Sequence, residues 1–296
     1  MKDSSIKGSD LITPFRITKG KRFKLKSIKP GFAKGLNQKS EREVRKVLAD
    51  TVQQIAELQE KLHTAGKFGI LLIFQGMDTS GKDGAIKHVM SGINPQGCQT
   101  FSFKAPSAEE LAHDPLWRCT INLPGRGKIA IFNRSYYEET LVVRVHPELL
   151  QKQGLPEISE NIWEERFEDF RSFERYLRRN GIIVCKFFLH VSKNEQKKRL
   201  LARLDTPDKN WKFSSADLKE RAFWDKYQKA YEDMIRNTAT KDAPWYVIPA
   251  NKRWFARAVV ASVVVEAMSK LDLKLPAVDK MRKKELEDAR KALLSE

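Results

Sequence analysis

Short, uniformly apolar runs alternate along this chain with longer stretches in which apolar residues recur every third or fourth position. Residues 68–74, ending in Ile70-Leu71-Leu72-Ile73-Phe74, are too uniformly apolar for a half-exposed strand. They predict a strand buried on both faces. Gln99–Lys104, Lys128–Asn133, Ile182–Val191 and Trp245–Pro249 predict four more. Val44, Leu48, Val52, Ile55, Leu58 and Leu62 fall on one face of a helix, with Ser40 and Glu43 as a capping box at its start. Further helices are predicted over Lys82–Ser91, from Ser107 through Cys119, and over Arg134–Val145, Ser159–Arg179, Lys193–Leu204, Ser215–Thr238, Arg253–Leu271 and Lys280–Leu294. Gly92–Gly97, Pro124–Gly127 and Asn180-Gly181 punctuate them. Strands alternating with helices predict an α/β fold: a five-stranded parallel sheet with helices on both faces. No apolar run approaches the roughly 20 residues that span a bilayer.

Charge changes the picture next. The 296 residues carry a formal net charge of +17. Residues 1–37 hold ten basic and two acidic side chains, so eight of these charges lie there and nine elsewhere. That segment reads as an extended basic arm with few apolar anchors, followed by one domain over 38–275 and a charged helix over 276–296. So large an excess implies a polyanionic partner. Neither a nucleic-acid motif nor a membrane segment is visible. Cys98, Cys119 and Cys185 are odd in number and have no paired spacing, and the start of the chain lacks the apolar core of a secretory signal. Both point to a reduced, cytoplasmic compartment. The apolar stretch Ala258–Val265 suits either core or a subunit contact, and a homo-oligomer, dimer or tetramer, is expected.

Gly76-Met77-Asp78-Thr79-Ser80-Gly81-Lys82 follows the first strand directly. A strand running into a glycine-spaced loop that ends in Lys is the layout of a phosphate-binding loop, whose backbone N–H groups surround a phosphate at a helix N-terminus. The usual Ser or Thr after the lysine is replaced by Asp83, so a metal ligand must come from elsewhere. Asp78 inside the loop is the candidate, because an unscreened carboxylate there would repel the phosphate. The third strand ends in Asn133-Arg134, where an acidic residue is expected; Arg134 is read as a phosphate clamp and Glu138 as a replacement acidic group and second metal candidate. Arg199 and Arg203 share one helical face before a polar loop containing Lys209 and Lys212, the layout of a mobile lid over about 199–221. Phe223, Tyr227 and Tyr231 read as core packing. The five histidines have no metal-ligand spacing.

Taken together, Gly76-Met77-Asp78, Gly81-Lys82-Asp83-Gly84, Asn94-Pro95-Gln96-Gly97, Phe103-Lys104-Ala105-Pro106-Ser107, Phe132-Asn133-Arg134-Ser135, Trp211-Lys212-Phe213-Ser214, Glu220-Arg221, Trp224-Asp225 and Ala243-Pro244-Trp245 resemble the second family of polyphosphate kinases. The resemblance runs over about 15–275. It implies a P-loop kinase fold related to thymidylate kinases, and phosphoryl transfer between inorganic polyphosphate and nucleotides with Mg²⁺ or Mn²⁺. Asn133 with Tyr136-Tyr137-Glu138-Glu139 resembles the class that phosphorylates both nucleoside mono- and diphosphates, here ADP and AMP with guanine nucleotides as further acceptors. The resemblance makes Asp78, Lys82, Arg134, Arg199 and Arg203 the catalytic set, with Asp78 and Glu138 toward metal. Gly76, Thr79, Ser80, Gly81, Asp83, Lys87, Lys212 and Arg221 join Lys82 and Arg134 on the phosphates; Lys104, Asn133 and Glu138 face the nucleotide. A long polyphosphate needs a basic channel that displaces its counterions. Two rivals remain: an ATP-dependent nucleoside monophosphate kinase and a non-catalytic P-loop protein that binds nucleic acid.

Overall fold

The computed structural model describes residues 8–33, 38–274 and 280–296, with the side chains of residues 8, 9, 38–40, 209 and 212 left aside. In chain order the strands are β1 (Arg16–Ile17), β2 (Gly69–Gln75), β3 (Cys98–Ser102), β4 (Ile129–Asn133), β5 (Ile182–His190) and β6 (Trp245–Pro249). The helices are α1 (Gly8–Ile12), α2 (Gln38–Ala65), α3 (Lys82–Val89), α4 (Ala108–Leu111), α5 (Trp117–Thr120), α6 (Val142–Val145), α7 (Glu148–Gln151), α8 (Ile162–Arg179), α9 (Lys193–Leu204), α10 (Ser215–Ala222), α11 (Trp224–Thr238), α12 (Arg253–Ser269) and α13 (Lys280–Leu294).

The five expected strands pair in parallel, in the order β6-β5-β2-β4-β3. A sixth, β1, adds antiparallel to the β6 edge, with Arg16 opposite Tyr246. At two residues it is too short to leave an alternating pattern in the sequence. All seven residues of β2 are buried, which its uniform apolarity requires. β2 lies between β4 and β5, and the chain crosses from one side of it to the other. Ligands of such sheets bind at this switch point, beyond the carboxyl ends of the strands.

The sheet is covered on one side by α2 and α12, which pack along each other. Val44, Ile55 and Leu62 of α2 are fully buried, as their spacing requires. Ala258 through Val264 of α12 are buried within the single chain, so that stretch is core. Residues 8–33 are anchored rather than extended: Leu11, Ile12, Phe15, Phe23, Leu25, Ile28 and Ala33 are buried, and Glu232 of α11 accepts from the Leu25 amide at 2.6 Å. Burying several aliphatic and aromatic side chains at about 1.5–3 kcal/mol each outweighs the repulsion among the lysines between them. α2 begins at Gln38, so Ser40 lies inside its first turn rather than ahead of it.

Three expected helices are interrupted. Ser107 and Glu110 do form a capping box, but α4 ends at Leu111 and Pro115 precedes a separate α5. The segment after β4 is a tight 3₁₀ turn over Tyr136–Thr140 followed by the short α6. α10 and α11 break at Phe223, whose backbone leaves the helical region (φ −88°, ψ 18°). No helix among the described residues is long and apolar enough to cross a membrane.

Candidate active site

β2 delivers the chain into the glycine-spaced loop. Gly76 (φ 151°) and Gly81 (φ 107°) adopt backbone conformations that disfavour side chains. A Cβ on Gly76 would also stand 2.8 Å from the Leu189 carbonyl oxygen and from Ser80 Oγ. Among the described residues, two non-glycines have positive φ, Thr79 (62°) and Arg134 (66°). Both lie here, and such strain concentrates where geometry serves function.

The loop's N–H groups can face a phosphate only if its carbonyls turn away, and each of those carbonyls has a partner. Lys82 Nζ donates to Gly76 at 2.7 Å and to Met77 at 3.4 Å. Gln196 Nε2 donates to Asp78 O at 3.1 Å. Arg199 Nη1 donates to Thr79 and Ser80 O, both at 2.9 Å. Arg199 Nη2 reaches Ala250 and Asn251 O at 2.6 and 3.0 Å, and its Nε donates to Glu195 at 2.8 Å. All five of its N–H groups are therefore engaged, and the residue is 5% exposed. The hydroxyls of Thr79 and Ser80 are buried without partners.

β4 positions the opposite wall. Arg134 Nη2 pairs with Asp78 Oδ1 at 2.6 Å, and Nη1 with Glu138 Oε2 at 3.1 Å. Glu138 is buried and is also reached by the Gln75 amide nitrogen at 2.8 Å. Glu138, and then Asp78, hold Arg134 firmly charged against burial. Asn133 Nδ2 donates to Asp83 at 2.6 Å, while its Oδ1 is buried and unpaired. Burial and then Arg134 push Lys82 down to about 8, and the nearby carboxylates oppose that fall. Beneath this wall, Glu174 accepts from Tyr136 and Tyr137 at 2.8 and 2.7 Å and pairs with buried Lys186 at 2.7 Å. This network fixes the turn that carries Glu138.

Two clefts meet at Asp78 and Arg134. The first, about 680 Å³, is lined by seven cations against the three carboxylates Asp78, Asp83 and Asp217. Besides Lys82, Lys104, Arg134, Arg199 and Arg203, these cations include Arg253 and Arg257, which sequence reasoning passed over. Arginine at the first position of α12 was the available signal, since the helix dipole disfavours cations there. The second cleft, about 620 Å³, has apolar walls of Phe103, Pro106, Val142, Leu149, Tyr227 and Tyr231. Tyr227 and Tyr231 thus pack in the core and also face this cleft. Glu220 sits in its wall, accepting from Tyr227 Oη at 2.5 Å and bonding to His146 Nε2 at 2.9 Å.

The expected lid residues separate. Arg203, on α9, pairs with Asp217 of α10 at 3.1 Å in the wall of the first cleft. Burial and then Asp78 raise the Asp217 carboxyl above its ordinary value. Arg221 Nη1 donates to Lys193 O and Gln196 Oε1 at 2.8 and 2.7 Å, outside both clefts. Lys87 is exposed on α3 and lines neither. The Lys212 side chain falls outside the described residues.

Residues 38–276 match the family described as Polyphosphate kinase 2. An "ADP-polyphosphate phosphotransferase" of Rhodopseudomonas palustris is 50% identical over 258 residues, 86% of this chain and 89% of that protein. An "AMP/ADP-polyphosphate phosphotransferase" of Meiothermus ruber is 42% identical over 262 residues, covering 88% and 94%. The crystal structure of Polyphosphate Kinase 2 from Arthrobacter aurescens superposes with a TM-score of 0.85 at 37% identity, covering 96% of this chain and 98% of that one. The fold, the phosphate loop and the extent of these matches lead to one conclusion: the chain belongs to the polyphosphate kinase 2 family.

Proposed function

We propose that the cationic cleft receives inorganic polyphosphate, and that the apolar cleft receives the nucleoside of ADP or AMP. Family membership makes the chain a phosphotransferase acting between polyphosphate and nucleotides. The observation that carries the assignment of clefts is their shared wall, Asp78 with Arg134, where an acceptor phosphate and a donor phosphoryl group would meet.

In the proposed reaction, a terminal phosphate oxygen of the nucleotide attacks the end phosphorus of the polyphosphate in line. The new P–O bond forms as the bridging P–O bond breaks, and the electron pair leaves with the shortened polyphosphate. Lys82, Arg134 and Arg203 hold the transferring group's oxygens as charge moves. Arg199 and Gln196 act on the loop, keeping its N–H groups turned inward. The attacking phosphate is already ionised near neutral pH, so no strong general base is required.

The donor set here suits a hard divalent cation, Mg²⁺ or Mn²⁺. Among the described residues no three His, Cys, Asp or Glu side chains converge. Mg²⁺ characteristically takes one or two carboxylates and completes its shell with water and substrate phosphate. Asp78 would hold it, with Glu138 and the unpaired Asn133 Oδ1 as neighbouring oxygens. When bound, it supplies charge neutralisation between the two phosphates. Guanine nucleotides would fit the same apolar cleft, and the free Cys98, Cys119 and Cys185 accord with a reduced compartment.

The test is one assay of AMP, ADP, GMP and GDP with polyphosphate, run beside AMP with ATP as donor. Polyphosphate should support turnover of ADP and AMP. Phosphorylation of AMP by ATP, with none from polyphosphate, would overturn the reading.

A further inference from the structure

The cationic cleft holds more positive charge than one transferring group requires. The excess lies to one side, where α12 begins. Arg253 and Arg257 both line the cleft, one helical turn apart, so their Cβ atoms are about 5–6 Å from each other on one face. Neither has an ion-pair or hydrogen-bond partner among the described residues, whereas Arg134, Arg199 and Arg203 are all engaged. Arg257 reaches across to α3, where a Cβ on Gly84 would meet its Nη2 at 3.4 Å. It therefore stands over the first turn of α3, whose one carboxylate, Asp83, is engaged by Asn133 at 2.6 Å. Arg253 opens α12, a second positive helix end.

Two helix N-termini and two unpaired guanidiniums thus face one space. The start of α12, with Arg253 at its first position and no acidic residue in its first turn, costs stability unless an anion neutralises it. Burial, Arg253 and then Arg45 all push Arg257 below its ordinary value, the mark of like charges held together. Arg45 on α2 is itself engaged by Glu41 at 2.6 Å, so the unneutralised patch ends there.

We propose that Arg253 and Arg257 form a distal subsite that holds polyphosphate units behind the reacting end, so that the enzyme distinguishes long chains from short ones. This rests on reading the 680 Å³ cleft as the donor site. The chain would run from Lys82 over the first turn of α3 and along the start of α12 toward α2. A donor of three or four units would end before the subsite; a long one would cover it.

The test compares the KM for tripolyphosphate with that for a long polyphosphate, in the wild type and in Arg253→Gln/Arg257→Gln. The ratio of short-chain to long-chain KM should fall about tenfold, the loss of roughly one charge-assisted contact. An unchanged ratio overturns the proposal, whether both KM values rise together or neither moves. Arg253→Ala, at an exposed position, gives the same comparison if the double variant fails to fold. Binding of long polyphosphate without nucleotide provides a readout independent of turnover. Its log–log salt slope should become shallower by about 0.7 per arginine removed, and an unaltered slope also overturns the proposal. Wild-type enzyme that binds long polyphosphate but transfers nothing from it would refute the proposed function and leave this subsite standing.

Discussion

Arg199→Ala tests whether this arginine grips substrate or the loop. In the structure its guanidinium spans the carbonyls of Thr79 and Ser80 on one side and those of Ala250 and Asn251 on the other. Truncation leaves four buried or part-buried carbonyls without a donor. Hydrogen bonds to charged groups are worth about 1.5–3 kcal/mol each, but bonds sharing one side chain do not add. Loss of one partner of a buried ionic site costs about 3–5 kcal/mol, and we take that as the expected destabilisation. At roughly 2–4 °C per kcal/mol for chains of a few hundred residues, the melting temperature should fall by about 6–20 °C.

The assay is thermal unfolding by circular dichroism, paired with kcat and KM for polyphosphate. Arg199→Lys should recover only part of the loss, because one ammonium cannot bridge both pairs of carbonyls. Arg203→Ala is the contrast: its partner Asp217 lies in the cleft wall, and the variant should transfer more slowly with little change in melting temperature. The reasoning is refuted if Arg199→Ala melts within about 1 °C of wild type while transfer collapses. The guanidinium would then act on the phosphates directly.

Asp78→Asn should keep the fold and lose activity, with its metal dependence abolished or shifted; near-normal turnover at ordinary Mg²⁺ would remove Asp78 from the metal role. Lys82 should discharge near pH 8 in the free enzyme, so kcat/KM for polyphosphate should fall above that pH. The same shift has the opposite sign for stability: between about 8 and the ordinary 10.5 the unfolded chain binds the extra proton, so this group's contribution rises with pH. A flat kcat/KM profile to pH 9.5 would contradict both. Glu174→Ala strands buried Lys186 and should cost about 3–5 kcal/mol in urea unfolding, with Glu174→Ala/Lys186→Met recovering part of it; a loss under about 1 kcal/mol would show that the pair relaxes freely. Asn133→Asp would set two carboxylates against each other at Asp83 and should add an acid-side step to the rate–pH profile, which an unaltered profile would exclude.

How much of this was legible in the sequence depended on how local each signal was. Strand β2 and its loop could be read because buried parallel strands are uniformly apolar and because glycines mark the turn. Lys193–Leu204 and Trp245–Pro249 occupy the expected bounds. The anchoring of residues 8–33 could not be read: Phe15, Phe23 and Leu25 follow no period among the lysines and bury themselves only against distant helices. Arg134–Val145 looked helical because nothing in the sequence announces that Arg134 sits at positive φ. The spacing of Arg199 and Arg203 correctly put them on one face of α9. Only tertiary packing reveals that one is sealed against the loop while the other faces the cleft. Arg253 and Arg257 drew no reading from the sequence, because only the packing of α12 beside α3 brings them to the cleft.

The residue after Lys82 can now be explained physically. In many phosphate loops a Ser or Thr at that position and an Asp at the neighbouring strand end together serve the metal. Here the carboxylate belongs to Asp83 on α3 and the amide to Asn133 at the end of β4, joined at 2.6 Å. The acidic member thus stands at the helix N-terminus, where the dipole favours it, and the strand end is neutral. A neutral strand end leaves Arg134, the next residue, free of a competing anion from its own neighbour. Arg134 turns instead to Asp78 and Glu138, pinning the carboxylate inside the loop against the wall that both clefts share. The arginine thereby neutralises Asp78. On the proposed assignment of the clefts, a phosphate would approach this ion pair from either side, and Arg134 would then share its charge between Asp78 and the two anions.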